Sequence, residues 1–158
     1  MSGNDNVKYL NFEDKDFSEL RDMMYGLYDE DPEGLALDDA KIAKTVQECA
    51  ARPEKLRIIM ICVDGVVAGY SLLVFFWSNE YGGNILCVDE LYVRKEYRNK
   101  GLASGFLKYL KSAYENAAAI AVETTPSNYE AEKIYARLGF KPSPNNHLVL
   151  NLPDRQMV

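Results

Sequence analysis

The chain lacks the parts that several common chemistries need. One histidine, His147, stands in 158 residues, so a histidine-dependent nucleophile relay and a histidine-based metal centre are both incomplete. Three cysteines, Cys49, Cys62 and Cys87, form an odd set with no C-x-x-C spacing. Neither a zinc site nor a disulfide framework is indicated, and reduced thiols in a cytoplasmic protein are expected. Basic charge is short: 18 Lys and Arg face 24 Asp and Glu, a net charge of −6. That balance argues against a broad nucleic-acid face and against docking on anionic lipid. The longest apolar run, VVAGYSLLVFFW (66–77), is too short to span a bilayer, and the start MSGNDNVKYL lacks the apolar core of a signal peptide. The Gly-x-x-x-x-Gly-Lys-Ser/Thr string and the dinucleotide fingerprint are missing as well.

What is present is an alternation of strand-like and helix-like segments in one domain, residues 1–158, with no repeat or linker to divide it. VKYLNF (7–12) reads as a first strand. Phe17, Leu20, Met24, Leu27 and Tyr28 recur at helical spacing, with Asp14 or Asp16 as N-cap. An acidic break, DEDPEGLALDD (29–39), precedes a second helix marked by Ile42, Val46, Cys49 and Ala50 and ended by Pro53. LRIIMICV and VVAGYSLLVFFW flank Asp64-Gly65, a strong hairpin signal. SNEYGGN (78–84) turns the chain again into ILCVDELYV (85–93). Leu102, Phe106, Leu107, Leu110, Ala113 and Tyr114 line one face of a third helix. AIAVET (119–124) is a further strand, NYEAEKIYARL (128–138) a fourth helix closed by Gly139, and HLVLNL (147–152) a last strand. The expected class is α/β (α+β): a mixed central sheet in the order β-α-α-β-β-β-α-β-α-β, with helices on both faces. The strand ending at Val93 should lie parallel beside the one starting near Ala119.

Residues 94–100, RKEYRNK, carry four bases and one acid, and Gly101 then opens the third helix. A helix N-terminus presents unpaired N–H groups and the positive end of a dipole. Gly101 lets a ligand approach the backbone, and small Ala103 and Ser104 keep the way clear. The pattern reads as a phosphate seat helped by Arg98 and Lys100, or as a solvated basic loop before an ordinary helix. Its place between a strand and a crossover helix is where α/β sheets bind ligands.

Arg98-Asn99-Lys100-Gly101-Leu102-Ala103 resembles the Arg/Gln-x-x-Gly-x-Gly/Ala signature of the GNAT superfamily, the acetyl-CoA-dependent N-acetyltransferases, with Ala103 where glycine is commoner. VDELYVRKEYR (88–98) resembles that family's central strand and lead-in, and NYEAEKIYARLGFK (128–141) its second motif. The resemblance covers nearly the whole chain and implies a GNAT-like fold. It implies acetyl-CoA as cofactor, its pyrophosphate cradled by N–H groups from Asn99 to Ser104, Leu102 and Ala103 included. It also implies that backbone groups of Leu91, Tyr92 and Val93 hold the pantetheine arm and thioester carbonyl in a gap beside the central strand. Asn128 and Ala131 match positions that approach the cofactor.

The implied reaction is direct acetyl transfer to a primary amine, in the manner of the small-amine and polyamine acetyltransferases. It needs a neutral amine, donors for an oxyanion and a proton for the leaving thiolate. Asn128, Ala131 and Tyr135 share one helix face, and a tyrosine keeps its proton at neutral pH. The residues alone fit a core tyrosine; the resemblance makes Tyr135 the general acid. Asp89 and Glu90 adjoin on a strand that is apolar on both faces, so they should point oppositely, Glu90 with Leu86, Val88 and Tyr92, unless a bulge re-aims one. The resemblance makes Glu90 the base, through water, with Asp89 at the amine; a structural carboxylate is the other reading. Glu30 and Asp31 are assigned to draw a cationic amine, in a stretch that otherwise reads as a solvated loop. Some of Tyr70, Phe75, Phe76, Trp77 and Tyr81 are expected to wall the acceptor cleft. The expected partners are a small-molecule amine and, by resemblance, a second copy in a homodimer, with no nucleic acid, membrane or metal. Two rivals remain: a protein or peptide N-acetyltransferase, and a non-catalytic acyl-CoA-binding regulatory module.

Overall fold

Local turn chemistry lays out the sheet. Asp64 and Gly65 take positive φ, 50° and 81°, the two left-handed positions a tight hairpin needs. They join β2 (Leu56–Val63) to β3 (Val66–Ser78). A second turn leads into β4 (Gly83–Val93). β1 (Val7–Asn11) pairs antiparallel with β2, and β5 (Ala119–Val122) pairs parallel with β4, Ile85 opposite Ala119. The five strands stand in chain order, antiparallel except for the last pair. The structure, a computed structural model, describes residues 5–32 and 34–152. Glu33 of the acidic stretch lies outside them.

Four helices cover the sheet: α1 (Phe17–Glu30), α2 (Asp39–Ala51), α3 (Leu102–Ala113) and α4 (Tyr129–Arg137). Asp16 stands at the N-cap position of α1, but its side chain makes no capping bond to that helix, and Asp14 lies too early to cap it. Both also belong to a short 3-10 turn, where the Asp16 carboxylate accepts the Glu13 N–H at 3.0 Å instead. Asp38 caps α2, accepting the Lys41 N–H at 2.8 Å. Leu20, Met23 and Met24 of α1 and Ile42 of α2 pack on Ile58 and Met60 of β2 and Tyr70 and Leu72 of β3. On the other face Phe106, Leu107 and Leu110 of α3 pack on Ile59, Ile61, Leu73, Leu86 and Val88, with Ile134 and Tyr135 of α4 at the margin. Leu20, Ile42, Phe106 and Leu110 are wholly buried, and each such side chain contributes about 1.5–3 kcal/mol.

The expected last strand does not form. Leu148, Val149, Leu150 and Leu152 are 91%, 72%, 84% and 70% exposed, and residues 147–152 pair with no strand among the described residues. An alternating apolar stretch is only half of a strand; it needs an edge to supply the ladder. β5 keeps an outer edge with no partner among the described residues.

Gly69 of β3 lies opposite Val93, where the Tyr92 main-chain oxygen approaches so closely that an added Cβ would collide with it. A carbonyl in a strand ladder cannot turn aside. Gly69→Ala is therefore expected to lose about 1–3 kcal/mol of stability in urea unfolding; an unchanged midpoint would show that the strands part freely there.

Candidate active site

β4 and β5 stay paired as far as Val88 and Val122, and β4 then runs on from Asp89 to Val93 with no strand on that side among the described residues. Their parting opens a cavity of ≈ 850 Å³. Its walls are the end of α1, the unpaired half of β4, the start of α3 and the inner face of α4.

A bulge aims the side chains of β4. Leu72 lies opposite Glu90 and Leu73 opposite Val88, so Asp89 is an extra residue with no partner. The alternation expected from the sequence breaks there. Leu86 and Val88 pack toward α3, but after the bulge it is Leu91 that faces α3, while Tyr92 packs with the α1 face. Glu90 follows Tyr92 rather than Leu86 and Val88, and turns toward α1.

Two phenols meet it there. Tyr28 of α1 donates its O–H to Glu90 Oε2 at 2.8 Å, and Tyr70 of β3 donates to Oε1 at 2.9 Å. Ser71 Oγ donates to the Glu90 main-chain oxygen at 2.8 Å. Burial pushes the Glu90 carboxyl above the ordinary carboxylate range; the two phenol hydrogen bonds pull it back in part, and neighbouring Asp89 adds to the rise. Tyr28 and Tyr70 are both pushed upward by burial and by the Glu90 charge, so they stay protonated. Asp89 is exposed at the cavity, its carboxyl raised by partial desolvation and by Glu123. Burial, Glu123 and Asp89 together push the Cys87 thiol up to about 11. Such a thiol is a poor nucleophile at neutral pH.

At the far end of the cavity the chain enters α3 through left-handed backbone, with Asn99 at φ 61° and Gly101 at φ 76°. No side chain caps the helix, and its first rung is the Gly105 N–H to the Gly101 oxygen at 2.9 Å. The N–H groups before that rung are those a helix leaves free. A Cβ on Gly101 would meet nothing within 4 Å, so the backbone borders open space. The basic corner is half neutralised. Arg94 pairs with Glu19 at 3.2 Å, and Arg98 pairs with both oxygens of Glu30 at 2.8 and 2.9 Å. Arg98 also donates its Nε–H to the Val93 oxygen at 2.7 Å and lies 5.3 Å from the Tyr92 ring centroid. Lys100 stands over the Tyr97 ring and does not line the cavity.

Every other site residue expected from the sequence borders the cavity: Glu30, Asp31, Asp89, Glu90, Leu91, Tyr92, Val93, Arg98, Asn99, Gly101, Leu102, Ala103, Ser104, Asn128, Ala131 and Tyr135. Several are already engaged. Asp31 accepts from Thr125 Oγ1 at 3.0 Å, and the Asn128 side chain caps α4 by accepting the Ala131 N–H at 3.3 Å. Tyr135 packs edge-on against Phe140 at 5.5 Å, and burial raises its phenol. None of the five aromatics expected at the acceptor cleft lines the cavity: Phe76, Trp77 and Tyr81 are exposed around the far β3–β4 turn, Phe75 packs on Tyr114, and Tyr70 acts only from behind, through Glu90. Tyr28, Glu123 and Thr125 were not foreseen. Tyr28 repeats the core spacing of Leu20 and Met24, so nothing local distinguished it.

A sequence model of the acetyltransferase (GNAT) family matches residues 20–140, which hold every wall of this cavity. The chain belongs to that family. It is similar to an uncharacterized N-acetyltransferase of Methanocaldococcus jannaschii, 37% identical over 82 residues, 50% of this chain and 49% of that one. The chain thus matches about half the length of this curated relative. A possible acetyltransferase from Clostridium difficile 630 has the same fold, with TM-score 0.81 and 23% identity over 94% of this chain and 99% of the other. So does an aminoglycoside N-acetyltransferase solved with CoA, with TM-score 0.73 and 17% identity over 96% and 98%. The uncapped α3 terminus, its left-handed approach and the open space beside Gly101 fit the pyrophosphate of the acetyl-CoA that GNAT acetyltransferases use.

Because the fold raises the Glu90 carboxyl, the folded chain holds that proton more tightly than the unfolded one. Its contribution to stability is full at low pH and is lost as pH rises through the folded value. Melting temperatures of the native chain and Glu90→Gln from pH 4 to 8 should diverge accordingly, the native chain losing ground to the variant as pH increases. The opposite trend would mean that the phenols outweigh burial.

Proposed function

We propose that this chain transfers the acetyl group of acetyl-CoA directly to a small cationic primary amine. The observation that carries the reading is the parting of β4 from β5. It leaves Glu90 and Tyr135 on one cavity with the uncapped start of α3. Acetyl-CoA supplies an activated thioester carbonyl. Backbone N–H groups from Asn99 to Ser104 receive its pyrophosphate, while Arg98 holds the loop through Val93 and Glu30. The unpaired backbone of Leu91, Tyr92 and Val93 offers ladder groups to the pantetheine arm and a donor to the developing oxyanion. Asn128 and Ala131 bound the arm from α4. Tyr135, kept neutral by burial, hands its proton to the departing sulfur. Glu90 takes a proton from the amine.

The acceptor class follows from charge. Asp31, Asp89, Glu90 and Glu123 border the cavity, and Asp89 and Glu123 have no cationic partner among the described residues. A field of this sign raises the local concentration of an amine cation. The fold shared with an aminoglycoside N-acetyltransferase supports the same class. The three free thiols support a cytoplasmic setting. The exposed strand-like segment 147–152 and the bare edge of β5 support association with a second copy.

Thiol release from acetyl-CoA, measured over spermidine, kanamycin, L-lysine and an alanine-initiated peptide, tests the reading. Turnover is expected with a polyamine or aminoglycoside, and Tyr135→Phe should lower kcat roughly 10²-fold. Turnover on the peptide alone would favour a peptide N-acetyltransferase. Binding of acetyl-CoA without turnover on any of them would favour a regulatory module.

A further inference from the structure

Glu90 reaches the cavity in company. Each carboxylate oxygen accepts one phenol, Tyr28 at 2.8 Å on Oε2 and Tyr70 at 2.9 Å on Oε1. The two phenols are not equivalent. Tyr70 is fully buried and borders no part of the cavity, whereas Tyr28 is half-buried and forms part of its wall. The Tyr28 hydroxyl makes no other hydrogen bond among the described residues. Having given its only proton to Glu90, that oxygen can meet a further polar group only as an acceptor. An amine or ammonium N–H is a donor. The ionisable groups facing this cluster are Tyr28 of α1, Tyr70 of β3, and Asp89 and Tyr92 of β4; none is a cation that would hold Glu90 away from the exchange.

We propose that Tyr28 is the catalytic residue through which Glu90 takes the acceptor's proton, in place of a bridging water. This rests on the acetyl-transfer reading. The acceptor ammonium passes one proton to the Tyr28 oxygen as the Tyr28 proton moves to Glu90 Oε2, which leaves a neutral amine, an intact phenol and a protonated Glu90. The amine nitrogen bonds to the acetyl carbon as the carbon–sulfur bond breaks, and the sulfur takes the Tyr135 proton. The new amide nitrogen gives its surplus proton to the Tyr135 oxygen. Glu90 then releases its proton to water back through Tyr28. The sum is one amide, one thiol and one proton released. The helix that borders the acceptor thereby supplies the atom that touches it, while β4 supplies the proton's destination.

The experiment compares Tyr28→Phe with Tyr70→Phe. Both remove one phenol hydrogen bond from Glu90 and nothing else of size, so a role limited to holding the carboxylate predicts similar effects. Two quantities are read: the Glu90 side-chain carboxyl titration by carbon-13 NMR on the unliganded protein, and kcat and kcat/KM against pH, using acetyl-CoA and the panel amine that turns over fastest. Both variants should move the Glu90 titration and the acid limb of kcat/KM to higher pH, since each loses a bond that favours the ionised form. Tyr28→Phe alone should lose the relay, its plateau kcat falling about 10²-fold and at least tenfold below that of Tyr70→Phe. Equal plateau losses in the two variants, or a native plateau in Tyr28→Phe, would overturn the relay while leaving acetyl transfer standing. A native chain without turnover on any panel amine would overturn both.

Discussion

The loss of pairing between β4 and β5 beyond Val88 is the constraint on which the site depends. Five strands could have closed into an ordinary mixed sheet. Instead β5 ends at Val122, and β4 continues alone through Asp89–Val93. Unpaired backbone inside a protein requires partners from elsewhere. In this chain the missing ladder leaves a row of β4 groups, from Asp89 to Val93, bordering a cavity.

The bulge at Asp89 makes that opening chemically useful. Had the alternation continued, Glu90 would have shared a face with Leu86 and Val88 under α3, an ionisable group among aliphatics. One extra residue turns it toward α1, where two phenols satisfy it. A buried carboxylate so placed is neither free nor quenched: burial raises its proton affinity and the phenols hold that rise in check. The clasps at the end of α1 act in the same neighbourhood. Glu30 grips Arg98 on the α3 side of the gap and Asp31 grips Thr125 on the β5 side, so two consecutive carboxylates tie one helix end to both banks.

Much of the architecture was legible from single segments. The Asp64-Gly65 hairpin, the long β3–β4 meander, the helical face of Leu102, Phe106 and Leu110, and Gly139 past the end of α4 each carry a local cause that no distant residue had to supply. The six-residue signature around Gly101 marked one end of the cavity for the same reason: left-handed backbone favours glycine and asparagine, which stand there at Gly101 and Asn99. Segment 147–152 misled because its alternation is genuine but it makes no pairing with the open edge of β5 among the described residues. The five β3-region aromatics misled because strand parity says nothing about which end of a strand faces a cavity.

By itself, then, the sequence determined the order of elements from β1 to α4, the turn positions and the glycine-marked start of α3, since all of these follow from backbone propensities acting over a few residues. Only the tertiary structure decided what each charged group is for. It tied Arg94 and Arg98 to acids of α1, occupied Glu30 and Asp31 as clasps, and brought Tyr28 to Glu90 across 62 positions of chain. A charge or a hydroxyl takes its role from whatever stands within about 3 Å of it, and that neighbour is chosen by packing between elements far apart in the chain.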